Sequence, residues 1–214
     1  MTDVWDAHYA TPAGHRFWPN EELVRWVAGR RFADVLEVGC GNGANLWFLA
    51  EQADRIVGID NSDTAIAAAE EYTRRRHVRN LELYVGDARV WPWKDAEFDL
   101  IVDCMMSQHL SWAQHRPLYE QYRRVLKPGG RLFLYHLDCK TSCRLDGWLG
   151  GCDWSNVSLF PAVDLTCLPI PTMLSDVVEL AGFSQPVVRG LLREYPNHDL
   201  AHYTILEAEV VRPS

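Results

Sequence analysis

Two kinds of apolar pattern alternate along this chain. Short, almost unbroken apolar runs recur at Val35–Val38, Arg55–Asp60, Leu81–Val85, Phe98–Val102 and Arg131–His136. Runs of this length are what strands covered on both faces of a parallel sheet require. Between them, apolar residues return at helical spacing. Leu23, Trp26 and Val27 follow Asn20, a fair N-cap. Further helices are predicted over about 44–51 and from a Ser62 or Asp63 cap to about Arg76. Leu118, Tyr122, Val125 and Leu126 predict a helix over 114–126, stopped by Pro128 and Gly129. A last helix is expected near 173–181, on Leu174, Val177, Val178 and Ala181, followed by strands at about 186–192 and 203–211. Strand and helix taking turns in this way predict an α/β fold with a doubly wound sheet. Residues 1–19 and 137–171 carry no clear period; the second is long for a loop unless it is functional or has structure of its own.

The turn after the first strand carries the chemistry. Val35-Leu36-Glu37-Val38 runs into Gly39-Cys40-Gly41-Asn42-Gly43-Ala44, three glycines at alternate positions ahead of a helix. Such a loop lies close against a ligand at the carboxyl end of a strand, where doubly wound sheets bind nucleotide-type cofactors. Gly39, Gly41 and Ala44 also satisfy the dinucleotide fingerprint, so the glycines alone leave two cofactor classes open. Glu37 separates them. A pyrophosphate resting on these amides would meet a carboxylate two residues before the first glycine, whereas S-adenosylmethionine offers an ammonium and a sulfonium that the acid attracts. The expected cofactor is therefore S-adenosylmethionine. Asp60 ends the second run about twenty residues later, where an acid takes ribose hydroxyls in either class.

Gly86-Asp87-Ala88, Phe98-Asp99-Leu100-Ile101-Val102-Asp103 and Leu126-Lys127-Pro128-Gly129-Gly130 complete an ordered set with the glycine loop and Gly58-Ile59-Asp60. Taken together, this set closely resembles the class I S-adenosylmethionine-dependent methyltransferases, strongly over about 20–136 and by topology beyond. The resemblance implies one domain over residues 1–214 with a seven-stranded Rossmann-like sheet, mostly parallel, its last strand reversed in an edge hairpin. It implies that Glu37, Gly39, Cys40 and Gly41 surround the methionine part of the cofactor, that Asp60 takes the ribose, and that Asn61, Asp87, Ala88 and Arg89 lie near the adenine. Cys104 and the residues after it would form the wall behind the transferred methyl group, with Ser107 and Gln108 as acceptor contacts. His136 and Asp138, after the fifth strand, would point toward the pocket rim.

His109 is the best single candidate for a general base, because imidazole titrates near neutrality; the alternative is a histidine hydrogen-bonded inside the domain or at the surface. The aromatic amino-terminal segment reads as a lid, with Tyr9 and Trp18 as contacts and Arg16 holding the cofactor carboxylate. Packing of a loose arm on the core is the plainer alternative.

Net charge is −8, and the one dense basic stretch, Arg74-Arg75-Arg76-His77-Val78-Arg79, ends a predicted helix, where cations complement the dipole. A small-molecule acceptor is thus expected, and no nucleic acid. The start has an early acid and no apolar core like a signal peptide's, and no run approaches membrane-spanning length, so a cytoplasmic chain is expected. Cys139, Cys143, Cys152 and Cys167 lack the paired spacing of most structural zinc sites, so no metal is expected. Two other classes are weighed against methyl transfer. An NAD(P)-dependent oxidoreductase would need a hydride-transfer pair such as Tyr-x-x-x-Lys, and Tyr72 and Tyr119 are followed by Arg76 and Arg123 instead. A cofactor-binding protein without catalysis would differ only in its acceptor pocket.

Overall fold

The computed structural model describes residues 2–90, 92–137, 171–184, 186–194 and 200–211. Its strands are β1 (Phe32–Val38), β2 (Ala53–Asp60), β3 (Leu81–Val85), β4 (Phe98–Cys104), β5 (Leu126–Leu137), β6 (Val187–Glu194) and β7 (Leu200–Glu209). They form one sheet in the order β3-β2-β1-β4-β5-β7-β6. The first five strands run parallel, while β7 pairs antiparallel with both β5 and β6. This is the doubly wound, Rossmann-like sheet expected from the sequence, with the reversed edge hairpin the late strands predict.

The helices are α1 (Thr2–Tyr9), α2 (Glu21–Val27), α3 (Leu46–Gln52), α4 (Asp63–Arg75), α5 (Trp112–Val125) and α6 (Pro171–Leu180). Alternate residues of each central strand enter opposite cores, as a period of two demands. Val35, Ile56, Leu100 and Phe133 pack with Leu23, Trp26, Leu46 and Leu49 on one face. Leu36, Val57, Ile101 and Leu132 pack with Leu118, Tyr122, Leu174 and Val178 on the other. Because β1 lies between β2 and β4, the chain reverses its winding at β1, and a crevice opens outside the carboxyl ends of β1 and β4. No helix among the described residues is long and apolar enough to cross a membrane.

Three expectations need correction. The amino-terminal segment, read as irregular, contains α1 and a short 3-10 turn at Pro12–Gly14. α5 starts two residues early, because Ser111 and Gln114 form a reciprocal capping box, and it accommodates Pro117 in its interior. β5 begins directly at Leu126 rather than Arg131: Gly129 N–H donates to the Val210 carbonyl and Val210 N–H to Gly130, so this turn already belongs to the sheet. Asn20 does cap α2, accepting from the amides of Glu22 and Leu23, and Ser62 caps α4.

Candidate functional site

β1 delivers Glu37 and the glycine turn to the mouth of the crevice. Gly39 and Gly41 adopt φ of +67° and +53°, in the left-handed region that favours glycine. Their missing side chains also matter for space. A Cβ at Gly39 would lie 2.3 Å from Cγ of Met106, and one at Gly41 2.4 Å from the Tyr9 hydroxyl. The amides of Gly39 and Cys40 donate to the Ile59 carbonyl at 2.8 and 3.0 Å, pinning the turn to β2. One residue on, Gly41 N–H donates to Oδ2 of Asp60 at 2.9 Å, while Ser62 N–H donates to Oδ1 at 3.0 Å. Asp60 is therefore aimed by its two neighbouring turns. Burial raises its pKa, and the amides of Gly41, Ser62 and Asn61 oppose that rise.

Glu37 is only 1% exposed. Oε1 accepts from Asn45 Nδ2 at 2.6 Å, while Oε2 has no hydrogen-bond partner among the described residues. Burial pushes the carboxyl up to about 8, against the opposing Asn45 hydrogen bond and Arg16 charge. A buried carboxyl with an open oxygen is costly unless a donor or cation arrives. Asn45 is itself held by the backbone amide of Asn20, 2.7 Å from its Oδ1, which ties the start of α2 to the acid.

The amino-terminal arm lies across this mouth. Asp6 accepts from Ser62 Oγ at 2.5 Å and Thr64 N–H at 3.1 Å. One turn later the Tyr9 hydroxyl reaches Gly41, and burial raises its pKa. Trp5 packs edge-on against His109, ring centroids 4.8 Å apart. Past α1, the Arg16 backbone exchanges two hydrogen bonds with the Asn42 side chain, and Arg16 Nη2 approaches the Met105 sulfur at 3.4 Å. Trp18, by contrast, is 76% exposed, so the arm presents Trp5 and Tyr9 to the crevice rather than Trp18.

Behind the crevice, the turn after β4 is built around a buried acid. Asp103 accepts from the amides of Met106 and Ser107 at 3.0 and 3.1 Å, and from the Tyr122 hydroxyl at 3.0 Å. Ser107 Oγ stands 3.2 Å from the Tyr119 hydroxyl and 3.1 Å from His136 Nε2. Gln108 Oε1 accepts from Leu137 N–H at 3.0 Å. Ser107, Gln108 and His136 are all buried, so they form the floor that fixes this turn rather than an exposed rim. His136 in particular is fully buried, which corrects the expectation that it points toward the pocket rim. The cause is the Ser107 bond, which draws the imidazole into the space between β5 and α5. Asp138 and residues 138–170, including Cys139, Cys143, Cys152 and Cys167, lie outside the described residues.

His109 is half-buried on the turn at Ser107–His109, under Trp5. Burial, with smaller contributions from His136 and His8, lowers its pKa to about 3; burial likewise lowers His115 and His136 to about 4. Folded values below the ordinary 6.5 mean that these imidazoles stabilise the fold above pH 6.5 and lose that stabilisation as pH falls toward 4. Acidification to pH 5 is expected to destabilise the protein by roughly 1–2 kcal/mol for each fully buried imidazole. Thermal melting between pH 7.5 and 5 checks this: His136→Asn should flatten the acid slope, and an unchanged slope would remove His136 from the account.

At the far side, Asp87 is half-exposed and engaged by Arg89, whose backbone N–H and Nε both donate to Oδ1 at 2.8 Å. That contact holds the Asp87 carboxyl below its ordinary range. Gly86 N–H donates to the Asp60 carbonyl, placing Asp87 and Ala88 next to the end of β2, beside Asn61. Cys40 and Cys104 are buried free thiols whose pKa burial raises, so they serve as packing and backbone contacts. Among the described residues no three His, Cys, Asp or Glu side chains are grouped to hold a metal.

The structure thus brings Glu37, Gly39, Gly41, Asp60, Tyr9, Arg16 and His109 to one crevice. Asn45, Asn42, Asp6 and Trp5 belong with them, and the sequence reading misses them. Asn45 stands at the start of α3 without a side-chain cap bond, its side chain engaged by Asn20 and Glu37, so capping rules do not reveal its role.

Comparison with known proteins follows the same lines. A family model described as a methyltransferase domain matches residues 35–130. A probable S-adenosylmethionine-dependent methyltransferase of Mycolicibacterium smegmatis is 34% identical over 110 residues, 51% of this chain and 39% of that protein. A 2-heptyl-1-hydroxyquinolin-4(1H)-one methyltransferase of Mycobacteroides abscessus is 27% identical over 121 residues, 56% of this chain and 53% of that one. The chain thus spans about half the length, or less, of these curated relatives. A Haemonchus contortus phosphoethanolamine N-methyltransferase solved with S-adenosylhomocysteine superposes with a TM-score of 0.73. It is 15% identical, covering 99% of this chain and 60% of that one, a likeness of fold.

Proposed function

We propose, for a chain that belongs to the class I S-adenosylmethionine-dependent methyltransferases, that it transfers a methyl group from S-adenosylmethionine to a small-molecule oxygen, nitrogen or sulfur acceptor. The observation that carries the cofactor is Glu37: a buried carboxyl with one open oxygen, next to a glycine cradle that a Cβ would fill. That combination fits a ligand with a positive charge and no phosphate. Asp60, its two oxygens aimed by Gly41 and Ser62, suits a vicinal diol such as a ribose.

When bound, the cofactor supplies a methyl group on a positively charged sulfur, already activated for displacement. The chain's contribution is then placement. Glu37 and Arg16 hold the amino-acid end, Asp60 the ribose, and Asn61, Asp87, Ala88 and Arg89 the adenine side. Cys104, behind Glu37, backs the reacting end. Holding the acceptor in line at about 3–3.5 Å accounts for most of the rate. The α1 arm, with Trp5 and Tyr9, excludes water from the crevice. Residues 1–19 and 137–171 select the acceptor within one domain, and the acid-rich surface favours a small molecule in the cytoplasm over a polyanion.

For an acceptor that must lose a proton, His109 takes it. Burial keeps its imidazole neutral throughout the physiological range but also lowers its pKa to about 3, which makes it a weak base and corrects the expectation that it titrates near neutrality. The role proposed for it rests on its place beside the crevice. His109→Asn is expected to lower kcat by about 10²–10⁴ with cofactor affinity unchanged. The kcat profile should show no acid limb near pH 6.5; a limb there, lost in the variant, would contradict this environment for His109. The reaction itself is tested by supplying S-adenosylmethionine with pools of small acceptors and measuring S-adenosylhomocysteine release. Turnover above the acceptor-free rate is expected, and none across amines, phenols, carboxylates and thiols would overturn the proposal.

A further inference from the structure

Resting on this reading of the crevice, we infer that Asp6 is a positioning residue for the cofactor, fastening α1 across the crevice and acting through Ser62 on Asp60.

Three contacts converge on Ser62. Its backbone N–H donates to Asp60 Oδ1 at 3.0 Å, its hydroxyl donates to Asp6 Oδ1 at 2.5 Å, and that hydroxyl accepts from Ala65 N–H at 3.0 Å. Ser62 is fully buried, so it has no water with which to replace a lost partner. The Asp6 carboxylate also takes Thr64 N–H, so it sits at the N-terminus of α4, where a negative charge is favoured. The ribose acid, the helix cap and the arm therefore share one serine.

The spacing on α1 turns that anchor into a placement of the arm. Asp6 and Tyr9 are three residues apart and lie on one helical face. With Asp6 fixed on Ser62 and Thr64, the Tyr9 hydroxyl is held at Gly41, while Trp5 rests on His109. The arm has a second hold at Arg16 and Asn42, beyond the turn that follows α1. Releasing Asp6 frees α1 while that second hold remains. Asp60 then loses the partner that fixes Ser62, and Tyr9 loses its seat.

Calorimetry with two ligands separates these effects. S-adenosylhomocysteine reports on the whole crevice, and adenosine on the ribose and adenine end without the amino-acid end. Asp6→Ala is expected to weaken both by about tenfold, and to lower the melting temperature of the ligand-free protein modestly because the buried Ser62 hydroxyl loses its partner, while leaving it folded at the temperature of the titration. Asp6→Asn, which still accepts from Ser62 and Thr64, should restore most of the affinity. Wild-type affinity in Asp6→Ala overturns the inference, as does weakened S-adenosylhomocysteine binding with adenosine unaffected, or no recovery in Asp6→Asn. Should Asp6→Ala not remain folded at the temperature of the titration, Ser62→Ala replaces it, and equal adenosine affinity in that variant overturns the inference as well. Failure of the wild-type protein to bind S-adenosylhomocysteine would instead overturn the cofactor assignment on which it rests.

Discussion

Asp60→Ala is expected to weaken S-adenosylhomocysteine binding by one to two orders of magnitude, while the protein stays folded. Each hydrogen bond to a charged group contributes roughly 1.5–3 kcal/mol, and each 1.4 kcal/mol is about a tenfold change in Kd. In this crevice the carboxylate is already oriented by Gly41 and Ser62 at 2.9 and 3.0 Å, so a diol would meet a prearranged acceptor. The variant leaves those two amides without their acceptor, which loosens the glycine turn and adds to the loss. Asp60→Asn keeps an acceptor for one amide and should fall between wild type and alanine. A change below about 0.5 kcal/mol in the alanine variant, well under the contribution of one charged hydrogen bond, would mean that Asp60 does not hold the ribose.

Glu37→Gln should do two opposite things: stabilise the ligand-free protein and weaken cofactor binding. The carboxyl is held at about 8 by burial, above its ordinary value of about 4.3. For a folded-state pKa above the unfolded one, the associated stability is fully present below the unfolded value and is lost as pH rises through the folded one. Glu37 therefore costs little at pH 4 and on the order of 3 kcal/mol at pH 7. Glutamine removes that cost and keeps an oxygen for Asn45. The melting temperature of Glu37→Gln should exceed that of wild type by a margin that grows from pH 5 to pH 8. A margin independent of pH would show that ionisation of Glu37 is not being relieved. Cofactor affinity should fall at pH 8 because the neutral amide no longer attracts a cation. It follows that the wild-type site gives up stability to keep a buried carboxyl that ionises against the ligand's cation, a common feature of binding sites.

The central parallel strands are legible in the sequence because strands covered on both faces must be apolar throughout, as Val35, Ile56 and Leu100 are, whereas β3 lies at the sheet edge with Glu82, Tyr84 and Val85 exposed. Asn20 and Ser62 are legible as caps because a side-chain oxygen ahead of a helical period has one economical use. α1 is not legible. Thr2–Tyr9 mixes acids, aromatics and small residues without an apolar stripe, and its helix is held by tertiary contacts: Asp6 on Ser62 and Thr64, Trp5 on His109. The same limit applies to the turn after β4. Cys104, Met105, Met106, Ser107, Gln108 and His109 read as a polar stretch facing a pocket, yet Asp103 folds the middle of it inward and leaves His109 beneath the arm. Which polar residue faces ligand and which faces the core depends on partners brought from α5 and β5, Tyr119, Tyr122 and His136, that no local pattern announces. Glu37 is the converse case. Its position ahead of the glycines already separates one cofactor class from the other, and the structure adds the reason the acid is available to a ligand: Asn45 satisfies one oxygen and leaves the other open.

Calorimetric titration of the purified protein with S-adenosylhomocysteine and, separately, with NAD tests the cofactor assignment most directly. Saturable one-to-one binding of S-adenosylhomocysteine, reduced in Asp60→Ala and in Glu37→Gln, with no heat from NAD, is the predicted result. Saturable NAD binding with no response to S-adenosylhomocysteine would contradict it.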